Sequence, residues 1–148
     1  MKKIWLMILM LLIALPALAA DDAGMIKTLS GSVTIERNRQ KIPATAGMPV
    51  FAADIVITGA DGSVGITLRD NTMLSAGPKS SLVINRFSYN SSTNAGSIDA
   101  SVRRGTLAVV SGKIAKNSPD AVQFRTAAAI LGVRGTEFVV DAGPGKEE

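Results

Sequence analysis

The run Ser63-Val64-Gly65-Ile66-Thr67-Leu68 alternates polar and small residues with apolar ones without a break. A period of two puts Val64, Ile66 and Leu68 on one side of an extended chain, whereas a helix needs a period near 3.6. Similar alternation marks Gly31-Ser32-Val33-Thr34-Ile35-Glu36 and Val122-Gln123-Phe124-Arg125-Thr126. Asp54 to Thr58, Thr72 to Ser75, Ser81 to Ile84, Thr106 to Val110 and residues 136–141 also read as strands.

Turn chemistry separates these segments. Arg37-Asn38-Arg39-Gln40 is a polar turn, and the return through Ile42-Pro43 is either irregular or an edge, because proline cannot donate to a ladder. Ala46-Gly47-Met48-Pro49, Gly59-Ala60-Asp61-Gly62, Asp70-Asn71 and Ala76-Gly77-Pro78-Lys79 are further turns. Residues 90–97 read as a long exposed hairpin loop and 111–120 as a second polar loop. Ala127 to Leu131 is ambiguous between helix and strand. Short strands with frequent turns predict a single all-β domain over residues 25–141, a sandwich or roll, with a β-helix-like coil as the alternative. A glycine followed by a hydroxyl residue opens a strand at Gly31, Gly62, Gly105 and Gly135, at intervals too unequal for a sequence repeat. Residues 142–148 are expected to form a disordered tail.

The first 19 residues stand apart. Met1-Lys2-Lys3 is basic, Ile4 to Leu15 is apolar, and Ala17-Leu18-Ala19 is a small-residue cleavage site. This is the layout of a secretory signal peptide, cut after Ala19 or Ala20. The apolar run is too short for a span of about 20 residues. The expectation is an exported, soluble, periplasmic protein with no membrane span after cleavage. Cleavage removes two lysines, which halves the formal net charge of +4 and leaves no strong pull on an acidic partner.

The chain has no histidine and no cysteine. Ser-His-Asp and Cys-His nucleophilic sites are thereby excluded, as are the usual zinc sites and disulfides. Asp54, Asp61, Asp70 and Asp99 lie at or near turns or strand ends by this reading, where aspartate bonds nearby amides. Neither a carboxylate-pair enzyme nor a calcium site at Asp61 and Asp70 is favoured, and no cofactor is expected. Nucleic-acid binding is not expected either, since basic residues are not interleaved with aromatic platforms. The only tryptophan, Trp5, leaves with the signal peptide, which weakens the case for sugar stacking. Arg103, Arg104 and Tyr89 remain as candidate partner contacts.

The closing run, Ile130 to Val140, holds Arg134 between Gly132 and Gly135 in apolar surroundings. Such a charge must reach water or find buried partners. Val133, Arg134, Gly135, Thr136 and Phe138 are read as a structural motif. Its arginine would bond backbone carbonyls or an aspartate, and Gly135 would resist replacement through positive φ.

These residues carry a resemblance. The sequence resembles the FecR domain family from about Gly31 to Val140. The resemblance rests on Gly31-Ser32-Val33, Asp54 to Gly59, Ile66 to Leu74, Pro78-Lys79-Ser80 with Leu82-Val83-Ile84, Gly105-Thr106-Leu107 and Val133 to Phe138. It departs from the family pattern at Ala53 and Asn71, where glycine is common, and at Ala127, where proline is usual. The family name comes from membrane sensors that relay a signal from outer-membrane siderophore transporters to a sigma factor. The resemblance therefore implies a non-enzymatic periplasmic module that binds an envelope protein, in sensing or assembly, without itself regulating a sigma factor. Peptidoglycan or glycan binding is the alternative.

Overall fold

The computed structural model describes residues 21–133 and 135–145. The expected signal peptide, Arg134 and the last three residues lie outside them. In chain order the strands are β1 (Gly24–Ser30), β2 (Val33–Arg37), β3 (Gln40–Pro43), β4 (Pro49–Val50), β5 (Ile55–Thr58), β6 (Ser63–Leu68) and β7 (Met73–Ala76). They continue with β8 (Ser81–Asn90), β9 (Ala95–Arg104), β10 (Thr106–Val110), β11 (Val122–Arg125), β12 (Ile130–Gly132) and β13 (Glu137–Asp141). One short helix, α1 (Lys113–Asn117), and a 3-10 turn at Pro119–Ala121 lie between β10 and β11.

The strands form two sheets, ordered β13-β10-β7-β6-β1-β4 and β12-β11-β9-β8-β5-β2-β3. Pairing is antiparallel except for β9 with β11. The alternation predicted for β6 holds, with Val64, Ile66 and Leu68 buried. They join Ile26, Leu74, Leu107, Val109 and Val140 from the same sheet, and Ile35, Val56, Leu82, Ile84, Ile98 and Phe124 from the other, in one core. The architecture is a β-sandwich, which decides against the coil. The chain crosses repeatedly between sheets, so neither sheet is built from one continuous stretch.

Several local readings change. No strand was expected at 24–30, yet β1 pairs with β6 and carries a bulge between Ile26 and Thr28. A bulge inserts an unpaired residue and breaks the period of two, which hides a strand from a pattern reading. The loop expected at 90–97 shrinks to the turn between β8 and β9, since Asn90 pairs with Ala95. Its flanks are polar because that end of the hairpin stands largely in solvent. The loop at 111–120 contains α1, whose Ile114 and Ala115 are buried. Ala127 to Ala129 form neither helix nor strand. The Thr126 hydroxyl accepts from the Ala128 and Ala129 amides at 3.3 and 3.2 Å, turning the chain into edge strand β12. Residues 142–145, expected in the tail, fold back onto the β9–β10 turn. The Ala142 amide donates to Gly105 at 2.9 Å, and the Gly105 amide donates to Gly143 at 2.7 Å.

Two departures from the family pattern fall where the backbone is left-handed. Ala53 has φ 72° and Asn71 has φ 68°. Asparagine tolerates this region, whereas alanine pays a Cβ penalty of about 1–2 kcal/mol. Glycine at 53 gives back part of that gain through the entropy of the unfolded chain. Ala53→Gly is therefore expected to stabilise the exposed turn by about 0.5–1 kcal/mol, read as a rise of about 2–4 °C in Tm.

Candidate functional site

The outward face of the seven-stranded sheet carries a groove of about 650 Å³. Its floor follows from the register. Val56 and Thr58 point into the core, so Ile55 and Ile57 face outward, each half-buried. Successive pairings place Glu36, Ile55, Val83, Ser101 and Arg125 in one row across β2, β5, β8, β9 and β11. A second row runs from Thr34 through Ile57 and Ser81 to Arg104.

Arg103 and Arg104 are adjacent, and neighbours on a regular strand point to opposite faces. Here the register shifts between Ser81 and Leu82, so Leu82 faces Val102 while Ser81 faces Arg104. Arg103 is the extra residue of this bulge, and the irregularity brings both arginines to the groove. The Arg104 Nε is buried and has no hydrogen-bond acceptor among the described residues. Gly145 packs so closely that a Cβ there would lie 2.8 Å from that of Arg104.

The third arginine is held differently. Arg125 donates from Nε to Asp99 Oδ1 at 3.1 Å, from Nη2 to Asp99 Oδ2 at 3.1 Å, and from Nη2 to Gln123 Oε1 at 3.0 Å. A second bulge, between Ile84 and Arg86, leaves Asn85 to donate to Asp99 Oδ1 at 3.1 Å and Ser101 Oγ at 2.7 Å. The hydrogen bond from Arg125 holds the Asp99 carboxyl below its ordinary range. Partial burial opposes this, while the Asn85 bond and the positive charges of Arg125 and Arg86 reinforce it.

A depressed carboxyl contributes stability that is present above its unfolded value and lost as pH falls through the folded one. Asp99→Asn should therefore lie below the parent in stability near neutral pH. The difference should close on acidification below about pH 4, in urea titrations across that range.

Chemically, the groove offers guanidinium donors on one side, the Glu36 carboxylate on the other and an isoleucine pair between. Arginine forks suit carboxylates and other oxyanions. Among the described residues, none that lines the groove is aromatic.

The structure brings Arg103 and Arg104 together at the groove, but not Tyr89. Tyr89 lies eight residues along β8 from Ser81, roughly 26 Å away at strand rise. Its hydroxyl donates to Asn94 Oδ1 at 2.9 Å in the hairpin turn. Arg125, Glu36, Ile55 and Ile57 were not singled out from sequence. Arg125 alternates with the buried Val122 and Phe124 and so lies on the outward side, and the parallel pairing of β11 with β9 brings it beside Ser101.

Arg134 is outside the described residues, but its neighbours are placed. Val133 is buried, and Phe138 meets Phe124 edge-to-face at 5.4 Å. The carbonyls of Gly135 and Thr136 accept from Ser111. Gly135 has the positive φ expected of it, 100°, with open space around it, so replacement meets backbone strain.

The four aspartates serve the fold. Asp54 pairs with Arg37, Asp61 accepts from the Ser32 amide, and Asp70 is fully buried and bonded to Thr72 and Ile114. Asp99, expected near a turn or strand end, lies inside β9.

No helix among the described residues is long and apolar enough to cross a membrane. No curated protein and no solved structure matches the chain. The family model described as FecR protein matches residues 54–147, a narrower span than the resemblance that began at Gly31. That match covers more than half of the sequence and includes β5 through β13, with most of the groove: the chain belongs to the FecR protein family.

Proposed function

We propose that this protein is a non-enzymatic interaction module of the bacterial envelope, exported by its first 19 residues and working as a soluble periplasmic domain. The observation that carries this reading is the arginine-rimmed groove on the outer face of the seven-stranded sheet. Its polar groups are arginine donors of fixed charge, hydroxyls and the Glu36 carboxylate, with no histidine or cysteine in the chain to activate a nucleophile. Apolar surface beside arginine is also the make-up of protein contact sites. Envelope sensing or assembly fits an exported domain, whereas direct control of a sigma factor does not.

The test is site-specific photo-crosslinking in the protein's own cells. A crosslinker at Ser101 lies in the groove, and one at Ser75 lies on the outward face of the other sheet. A discrete, protease-sensitive adduct from Ser101 but not Ser75 is expected. Absence of an adduct, or the same adducts from both positions, counts against the proposal.

The second reading, peptidoglycan binding, is favoured by the carboxylate-seeking character of the same arginines. Enrichment of the protein with sedimented peptidoglycan over a control protein would support it. No enrichment removes it.

A further inference from the structure

We propose that the groove binds an acidic peptide in extended conformation, with alternating residues bearing carboxylates and the intervening ones apolar. This rests on the groove being a protein contact site. Three observations lead to it.

The first is the spacing of positive charge. Arg104 lies in the row next to that of Arg125, one strand across and about two residues along. These steps, about 4.8 Å and about 6.6 Å, put the two backbone positions about 8 Å apart. Side chains at i and i+2 of an extended peptide are about 6.6 Å apart on one side, a gap that arginine side chains readily span. Two carboxylates of an alternating peptide therefore reach Arg125 and the Arg103–Arg104 pair together.

The second is the apolar floor beside the arginines. Ile55 and Ile57 are also two residues apart on one strand and face outward into the groove. An extended chain sends odd and even side chains in opposite directions. With its acids toward the arginines, the intervening side chains turn toward the isoleucines. An inorganic oxyanion would use the arginines and leave the isoleucines idle. A glycan strand would lack an aromatic face to stack on.

The third is Arg104 itself. Its Nε is buried without an acceptor among the described residues, whereas Arg125 has Asp99 and Gln123. The Nε itself is closed to a ligand, but Arg104 lines the groove, is partly exposed and is tied to no carboxylate among the described residues, so the outer nitrogens of its guanidinium can take one. The Arg103–Arg104 end is thus the anchor, and Arg125 is a pre-positioned second contact.

The experiment is fluorescence anisotropy on the intact protein, using a labelled short peptide that alternates glutamate and valine. The comparison peptide has glutamine in place of glutamate. The glutamate peptide should bind at least about tenfold more tightly, and binding should weaken as salt rises. The double variant Arg103→Gln/Arg104→Gln should lose at least about tenfold in affinity. Ser101→Glu keeps the arginines and adds a carboxylate to the groove, and it should also weaken binding. Ser75→Glu on the other sheet should not.

Equal binding of the two peptides, or unchanged affinity in both groove variants, overturns the inference. So does binding of carboxylate-bearing glycan strands through the same arginines when the peptide does not bind. If a protein adduct at Ser101 persists while the glutamate peptide fails, the acidic-peptide assignment falls and the interaction module stands. If no adduct forms, the broader reading falls with it.

Discussion

Replacing Arg37 with alanine is expected to destabilise the domain by about 3–5 kcal/mol, among the largest single-residue effects in this fold. Its Nε and Nη2 donate to Asp54 Oδ1 and Oδ2 at 2.9 and 2.7 Å. Nη2 also donates to the Pro49 carbonyl at 3.1 Å, and the guanidinium lies 4.6 Å from the centre of the Phe51 ring. The Asp54 side chain is only 2% exposed. Alanine would leave that carboxylate buried with the Phe51 amide as its remaining donor among the described residues. The hydrogen bond to Asp54 raises the Arg37 pKa above its ordinary value, with burial opposing and the Asp54 charge reinforcing. The guanidinium therefore stays charged throughout the folded range. Arg37→Lys should recover little, since an ammonium lacks the fork and the planar face. Replacing Arg37 by methionine and Asp54 by leucine together should recover part of the loss, because neither charge is then stranded. Urea denaturation of the two singles and the double closes the cycle. A loss below about 1 kcal/mol for Arg37→Ala would mean that Asp54 finds water or another partner.

Asp70→Ala should cost about 3 kcal/mol or more, by a different route. Asp70 is 0% exposed. Its Oδ1 accepts from the Thr72 amide at 3.0 Å, and its Oδ2 accepts from the Thr72 hydroxyl at 2.8 Å and the Ile114 amide at 3.2 Å. Its own carbonyl accepts from the Lys113 amide at 2.8 Å. One residue thus shapes the β6–β7 turn and seats α1 on it. Alanine would orphan buried donors at both places. Asparagine keeps an oxygen for the turn but presents an NH₂ where Ile114 needs an acceptor, so it should fall between alanine and the parent. Hydrogen exchange separates the two contributions. Asp70→Asn should speed exchange at the Ile114 amide while leaving Leu74 slow. Equal protection of Ile114 in parent and variant would show that α1 is held by packing alone.

Both pairs explain the limits of the sequence reading. The strands were legible where alternation is unbroken, as in β6 and β11. The Asn38-Arg39 turn was legible by polarity, and both residues take positive φ in a two-residue hairpin. Pro43 left an irregular segment or an edge open, and β3 is an edge. β1 was not legible because Lys27 sits in a bulge, and α1 was not because five residues carry no period. The groove was half legible. Arg103 and Arg104 drew attention as a pair, but their shared direction comes from a register shift that depends on β8. Asp54 and Asp70 were read as turn aspartates, which they are. Their burial depends on Arg37 and on α1, both distant in sequence.

The repeated crossing of the chain between sheets separates what identifies the domain from what folds. The family match begins at Asp54, after β1 to β4. Yet β1 lies between β6 and β4 in one sheet, and β2 lies between β5 and β3 in the other. A fragment beginning at Asp54 would carry the recognisable motifs and lack the residues that cover two sheet edges. Strands β6 and β5 would each present a raw ladder, which invites pairing with other molecules. It would also carry a carboxylate whose arginine had been cut away. Residues 24–53 are therefore not a prefix to the domain but its closing strands, and the smallest autonomous unit is wider than the signature by which the family is known.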